Sequence, residues 1–134
     1  MPDTRHPTEI KLRKASRILD IAFDDGQRFE LPFEYLRVYS PSADVRGHGP
    51  GQEVLQVGKE GVDIVRIEPV GSYAIRLFFD DGHNTGLYTW QYLYELGAQR
   101  EEKWRRYLER LQAAGHARDD SLPAVLSGSV VSRK

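Results

Sequence analysis

Residues 79–93 read FDDGHNTGLYTWQYL, and this stretch decides the fold class of the chain. Asp-Gly between runs of alternating apolar residues is a strong β-hairpin signal, because glycine readily adopts the positive φ of a tight turn. Thr89 suits the N-cap of a helix that runs through Trp90 to Leu96, and Gly97 suits its end. The stretch therefore predicts a strand, a tight turn, a second strand and a short helix.

An earlier stretch has the same order of signals: residues 23–36 read FDDGQRFELPFEYL. Its helix is predicted to begin near Pro32, because proline suits the first turn of a helix. The offset between the copies is 56 residues at the turn, from Asp24 to Asp80, and one residue more at the helix. The chain is therefore predicted to be a small single α+β domain, with an antiparallel β-sheet built from two pseudo-repeated β-hairpin–helix units.

Alternating apolar residues predict further strands around these two units. They cover Ile10 and Leu12, residues 18–23, residues 63–68 and residues 73–79. Residues 40–61 are different, because they carry five glycines and few large apolar side chains. They predict a long loop with one short strand near Val54–Val57, and loops of this length are often functional.

A C-terminal amphipathic helix is predicted over residues 100–114. Trp104, Leu108 and Leu111 recur at helical spacing, and charged residues fill most other positions. Its cationic residues alternate with glutamates, which is typical of a solvated, ion-paired face. We expect residues 1–7 to form a flexible arm, residues 8–114 the domain and residues 115–134 a disordered tail.

The composition narrows the classes of function. Nineteen Lys and Arg against twenty Asp and Glu give a formal net charge of −1, which offers no basic field for nucleic acid. The lack of cysteine excludes disulfides, thiol catalysis and thiolate metal sites. The chain has neither an apolar run of membrane-spanning length nor a signal-peptide core near its start, so we expect a cytoplasmic protein without a membrane partner.

Candidate catalytic residues do not form a complete motif. Four histidines occur, and no two of them lie at metal-ligand spacing. They are His6, His48, His83 and His116. The pairs Asp24-Asp25 and Asp80-Asp81 precede glycines at the predicted turns, where aspartate serves the turn geometry. Since no nucleophile–base pair or cofactor motif is visible, we expect no enzyme and no cofactor.

Three stretches carry a resemblance to a known family. They read LRVYSPSADVRGHGPGQ at residues 36–52, IEPVG at residues 67–71 and FDDGHNTGLYTWQYLYELG at residues 79–97. Over residues 8–114 the chain resembles the gamma-butyrobetaine hydroxylase N-terminal-like domain family, in its short stand-alone bacterial form. In the hydroxylases this domain precedes an iron- and 2-oxoglutarate-dependent jelly-roll domain that performs the hydroxylation. We expect this chain to lack that domain and its activity.

The resemblance also implies a structural zinc, and this chain departs from the pattern of its ligands. In the hydroxylases three cysteines and one later histidine bind the metal. The matching residues here are Ser40, Ser42, Val45 and His83. Neutral hydroxyl groups and a valine do not replace three thiolates, so we expect no metal although His83 is retained.

The leading hypothesis is a non-catalytic binding or accessory domain that recruits an unknown protein partner. Similar domains are attached to ATPases with iron–sulfur clusters, so the resemblance implies a partner in iron–sulfur or oxygenase metabolism. The candidate partner-binding residues are Arg46, His48, Asp80, Asp81, His83, Tyr88 and Trp90. The alternative is a metal- or cofactor-handling protein that uses His83 with His48 or with the carboxylates of Asp80 and Asp81. The oligomeric state stays open.

Overall fold

Residues 5–47 and 53–118 are the part of the chain described by the structure, which is a computed structural model. Strands and helices follow the order predicted for two hairpin–helix units, with additional elements before, between and after them. They are β1 (Pro7–Arg13), β2 (Ile18–Phe23), β3 (Arg28–Pro32), α1 (Phe33–Val38), α2 (Ala43–Arg46), β4 (Ile64–Val70), β5 (Ala74–Phe79), β6 (Leu87–Thr89), α3 (Trp90–Ala98) and α4 (Arg100–Ala113).

The strands form two antiparallel sheets of three strands each. The first has the order β1-β2-β3 and the second the order β4-β5-β6. One helix follows each sheet directly, α1 after β3 and α3 after β6. The predicted α+β class and the antiparallel pairing are confirmed, and the sheet is divided into two. The origin of the two units as an internal repeat stays a prediction.

The two Asp-Asp-Gly turns have matching hydrogen bonds. The side chain of Asp25 accepts a bond from the Gln27 backbone N–H at 2.9 Å, and that of Asp81 accepts one from the His83 N–H at 3.1 Å. The glycines that follow have φ of 92° at Gly26 and 90° at Gly82, a conformation that favours glycine. Turn geometry therefore explains the second aspartate of each pair.

Both sheets and the helices contribute to one hydrophobic core. Leu19 and Ile21 of β2 and Leu77 of β5 are buried in the same cluster as Leu96 of α3 and Trp104 of α4. Burial of this apolar surface is the main stabilising contribution, at about 25 cal/mol per Å². The core holds the two hairpin–helix units against each other.

Tyrosine hydroxyls connect the elements within this core. Tyr35 is fully buried and donates a hydrogen bond to the Leu96 carbonyl at 2.7 Å, and Tyr88 donates to the Leu36 carbonyl at 2.6 Å. Because a buried hydroxyl without a partner is unfavourable, these bonds fix how α1, α3 and β6 pack.

Two local predictions are wrong. Helix α3 continues through Gly97 to Ala98, with Gln99 as its C-cap. No regular strand occurs over Val54–Val57; the described part of that loop contains the short helix α2 instead. Two hydrogen bonds of this segment go to helices: the Val54 N–H donates to the Val45 carbonyl of α2 at 2.8 Å, and the Gln56 carbonyl accepts from the Tyr107 hydroxyl of α4 at 2.6 Å.

Individual contacts occur on both sides of residues 8–114, and the predicted domain bounds stay a prediction. Strand β1 begins at Pro7, and the His6 carbonyl accepts a hydrogen bond from the Asp24 N–H at 2.9 Å. At the other end, the Arg118 guanidinium binds the Glu34 carboxylate of α1. Residues 1–4 and 119–134 of the predicted arm and tail lie outside the described residues.

Candidate functional site

Ser40, Ser42 and His83, three of the residues at the family's zinc-ligand positions, meet where the loop after α1 packs against the second hairpin. We call this contact between residues 40–45 and residues 81–86 the junction. Ser40 Oγ lies 2.8 Å from His83 Nε2, and Ser42 Oγ lies 2.7 Å from Thr85 Oγ1. The approach is close at Gly86, where a Cβ would come within 2.5 Å of Ser40 Oγ. Only glycine therefore fits at position 86 without displacing the serine.

The serines also shape their own loop. Ser42 is the N-cap of α2, and its side chain accepts a hydrogen bond from the Asp44 N–H at 3.2 Å. The Ser42 N–H in turn donates to Ser40 Oγ at 3.2 Å. Val45, one turn further on, is buried. The loop after α1 thus has a defined conformation in which both hydroxyl groups face the hairpin.

His83 is held as a neutral imidazole. Burial lowers its pKa, and the nearby positive charge of Arg37 lowers it further, although Asp81 opposes the effect. A neutral ring has one donor and one acceptor nitrogen, so it forms a hydrogen bond with the Ser40 hydroxyl in either tautomer. The Ser40–His83 pair therefore persists at neutral pH without a charged partner.

Asp81 is the electrostatic centre beside the junction. Its carboxylate pairs with Arg37 Nε at 2.9 Å and Lys59 Nζ at 2.7 Å. Burial opposes its ionisation, but hydrogen bonds from Lys59, the His83 N–H and Arg37 outweigh burial and lower the pKa to about 2. Arg37 also donates to Gln56 Oε1 at 3.0 Å. Asp81 thus connects Arg37 of α1 and Lys59 to the second hairpin.

This geometry gives the Ser40–His83 pair a structural role. Only 1% of Ser40 is exposed to solvent, so a substrate carbonyl does not reach its hydroxyl group. The bond to His83 and the bond from the Ser42 N–H both lie inside the packed contact. The pair closes the junction rather than activating a nucleophile.

The zinc implied by the family resemblance does not fit the residues present. Ser40, Ser42 and His83 come together, but the imidazole Nε2 is engaged by a hydroxyl group and Val45 offers no ligand atom. The described residues hold no cluster of three or more His, Asp or Glu side chains that could bind a metal ion. At the positions of the family's metal ligands, Ser40 and Ser42 form hydrogen bonds with His83 and Thr85.

The other predicted site residues are dispersed. Asp80 lies outside the junction, where its carboxylate accepts a hydrogen bond from the Asp63 N–H at 3.0 Å. Trp90, at the start of α3, donates to the Ser72 carbonyl at 2.8 Å. Tyr88 is completely buried, so the structure corrects its assignment as a partner contact. Arg46 is exposed on α2, and His48 lies outside the described residues.

An accessible feature that the sequence did not reveal lies beside Arg46. An open groove of about 720 Å³ runs between α2 and α4, and we call it the α2–α4 groove. Its charged lining residues are Arg46, Lys103, Arg106, Arg110, Glu53 and Glu95. Lys103, Arg106 and Arg110 lie on one face of α4 because of their spacing, and this spacing was a sequence signal for a cationic surface. Their alternation with glutamates favoured instead the prediction of a solvated, ion-paired face.

A larger groove has a different charge balance. It has a volume of about 1160 Å³ and lies between β3 and the start of α4. Its charged lining residues are Arg28, Arg100, Arg105, Glu30, Glu101 and Glu102. The cations and carboxylates there are equal in number, whereas cations exceed carboxylates in the α2–α4 groove.

No helix in the described ranges has both the length and the apolar character needed to cross a membrane.

The fold and the junction define a small α+β domain whose two halves are joined by hydroxyl and imidazole hydrogen bonds. The family described as "Gamma-butyrobetaine hydroxylase-like, N-terminal" matches residues 10–94. The chain belongs to this family, as its motifs indicated.

Solved structures of similar chains have the same fold. One protein solved by NMR in solution is 47% identical with a TM-score of 0.76, and the match covers 92% of this chain and 97% of that chain. A second NMR structure is 52% identical with a TM-score of 0.75, covering 88% and 89%.

A crystal structure of a protein with unknown function from Acidithiobacillus ferrooxidans, which belongs to the DUF971 family, is 42% identical with a TM-score of 0.59. That match covers 69% of this chain and 93% of the other. The search of curated proteins finds no match.

Proposed function

We propose that the protein is a non-catalytic binding module that recruits a protein partner through the α2–α4 groove. The main support is the contrast between the junction and the α2–α4 groove. Groups at the junction bind one another, as the Ser40–His83 and Asp81–Arg37 contacts show. In the groove, by contrast, Arg46 is exposed and cations exceed carboxylates. A surface whose charged side chains are exposed and not paired with one another is the better candidate for binding a partner.

Family membership supports an accessory role. The resemblance implies a domain that accompanies oxygenases and iron–sulfur ATPases, so we propose a partner from iron–sulfur or oxygenase metabolism. The junction then serves to fix α2 relative to the second hairpin, because Ser42 both caps α2 and binds Thr85 of the hairpin. A rigid groove binds a partner at a lower entropic cost than a mobile one.

Quantitative affinity capture from a lysate of the source organism tests this proposal. The R46Q/R110Q double variant removes two cations from the groove, and R66Q/R105Q removes two exposed cations elsewhere as a matched control. We expect a partner that wild type and the control enrich equally and that R46Q/R110Q loses about tenfold or more. Equal enrichment by all three proteins, or no specific partner, would contradict the proposal.

Metal or cofactor handling through His83 with His48, Asp80 or Asp81 remains the alternative. Elemental analysis of protein purified without a histidine tag tests it. Stoichiometric metal that is lost from the His83→Ala variant would favour the alternative and weaken the recruiting role. We expect the wild-type protein to contain no stoichiometric metal, and chelator to leave its melting temperature unchanged.

A further inference from the structure

We propose that the α2–α4 groove binds an acidic segment of the partner protein, in extended conformation, with carboxylates facing α4. This inference rests on the proposed function and names the chemistry of the partner. Four cationic side chains and two carboxylates line the groove, although the chain as a whole has a formal net charge of −1. The groove is thus a local positive surface on a slightly acidic protein.

Two of the cations are available to a partner. Within residues 5–47 and 53–118, Arg46 and Arg110 form no ion pair with a carboxylate. The Arg46 guanidinium lies 5.1 Å from the centre of the Tyr92 ring, and Arg110 donates to the Glu53 backbone carbonyl at 3.4 Å. Neither contact neutralises the charge. Arginine pairs with carboxylates through two parallel hydrogen bonds, so both are suited to bind Asp or Glu side chains.

Of the other two cations, Arg106 takes part in an exposed ion pair, whereas only 15% of the Lys103 side chain is exposed. Arg106 pairs with Glu102 at 3.1 Å, and more than half of each side chain is exposed. Lys103 lies 3.8 Å from Glu95 and 5.2 Å from the Tyr39 ring centre. Exposed ion pairs contribute little to stability, so exchange of Glu102 for a carboxylate of the partner costs little.

The spacing on α4 suits an extended chain. Lys103, Arg106 and Arg110 lie on one face of the helix and span roughly 10 Å along its axis. An extended peptide covers that distance in about three residues, and its alternate side chains point to the same side about 7 Å apart. Two carboxylates at alternate positions therefore reach two cations of this face.

The walls of the groove favour a peptide over a small anion. Tyr92 donates to the Tyr39 carbonyl and Tyr39 donates to the Lys103 carbonyl, both at 2.6 Å, so the aromatic wall is fixed. Val54 is half exposed beside it and offers an apolar contact. A groove of about 720 Å³ exceeds the size of a single carboxylate and accommodates several side chains.

The test uses a fluorescein-labelled nine-residue peptide of alternating glutamate and leucine, with a glutamine–leucine peptide as its control. We expect saturable binding of the glutamate peptide to wild type, detected by fluorescence anisotropy and weakened by salt. The R46Q/R110Q variant is expected to bind about tenfold or more weakly. The R66Q/R105Q control is expected to bind within about twofold of wild type, since it changes net charge equally.

Three outcomes overturn this inference: no binding of the glutamate peptide, equal binding of the glutamine peptide, or equal losses in the two double variants. Competition by free glutarate at the same concentration as the peptide would assign the groove to a small dicarboxylate and likewise reject a peptide. Thermal melts of each variant establish that it is folded. If the lysate experiment succeeds while the peptide fails, the recruiting function stands and the acidic segment is wrong.

Discussion

Ser40 and His83 show how single residues determine the character of this site. A thiolate at position 40 would be a metal ligand, whereas the hydroxyl group here binds His83 Nε2 at 2.8 Å and also accepts the Ser42 N–H. The sequence alone indicated this pairing only through the family resemblance, because the two residues lie 43 positions apart. Local patterns carry no information about such contacts.

Replacement of Ser40 by alanine is expected to lower the free energy of unfolding by about 1–3 kcal/mol, because it leaves the Ser42 N–H and the His83 ring without their partner. Chemical denaturation with urea measures the change. Ser16→Ala, at an exposed turn, serves as the control and is expected to change stability by less than about 0.5 kcal/mol. An unchanged stability of Ser40→Ala would show that the junction does not depend on this bond.

Protonation of Asp81 is expected to lower the stability of the protein in acid. Its pKa falls from an ordinary value of 3.8 to about 2 in the folded protein, so its stabilisation is present above pH 4 and is lost as the pH falls towards 2. The expected contribution is about 1 kcal/mol after allowance for solvent screening of a partly exposed group. Unfolding measured from pH 6 to pH 2 checks it.

The matched control for Asp81→Asn is Asp24→Asn, an exposed aspartate of the first hairpin. Asp81→Asn is expected to flatten the pH dependence between pH 4 and pH 2, and Asp24→Asn is expected to leave it unchanged. The same slope in both variants would contradict the ion pairs of Asp81 with Arg37 and Lys59.

At the scale of elements, the sequence predicted best what local chemistry determines. The Asp-Gly turns and the Thr89 cap were predicted correctly, and the Thr89 hydroxyl accepts the Tyr92 N–H at 3.1 Å. Gly97 was misinterpreted as a helix end because its role depends on Phe29 in β3, against which it packs. Helix α2 was missed because it has only four residues and depends on contacts with the junction.

Gly97→Ala is expected to destabilise the protein by about 1–3 kcal/mol, although alanine is the better helix former, because the new Cβ would overlap the Phe29 ring. Thermal unfolding of Gly97→Ala, Phe29→Ala and the double variant measures the coupling between the two sites. The double variant is expected to lose less unfolding free energy than the sum of the losses of the two single variants. Additive losses would contradict direct packing of α3 on β3.

At the scale of the whole molecule, residues 115–118 return from the end of α4 to α1. Helix α4 is followed by Gly115, with φ of 79°, which reverses the chain. Arg118 then places its guanidinium over Trp104 and against Glu34, and only about a tenth of each partner's side chain is exposed. The sequence predicted a disordered tail here because isolated Ser, Gly and Arg residues show no periodic pattern.

Arg118→Met is expected to lower the free energy of unfolding by roughly 2–4 kcal/mol, because it leaves the buried Glu34 carboxylate without its partner. Burial already raises the pKa of Glu34, and the loss of Arg118 is expected to raise it further. The Glu34→Gln/Arg118→Met double variant removes both charges and is expected to recover part of the loss. If Arg118→Met is as stable as wild type, the C-terminal contact does not stabilise the domain.

Site-specific photo-crosslinking is the most direct test of partner binding in the α2–α4 groove. Benzoylphenylalanine replaces Val54, a half-exposed residue of the groove, in one protein and Arg105, in the charge-balanced groove, in the other. Both proteins keep Arg46 and Arg110. We expect a discrete adduct from position 54 in lysate of the source organism, attached to an acidic segment and absent from position 105. The same adducts from both positions, or none from position 54, would contradict binding in the α2–α4 groove.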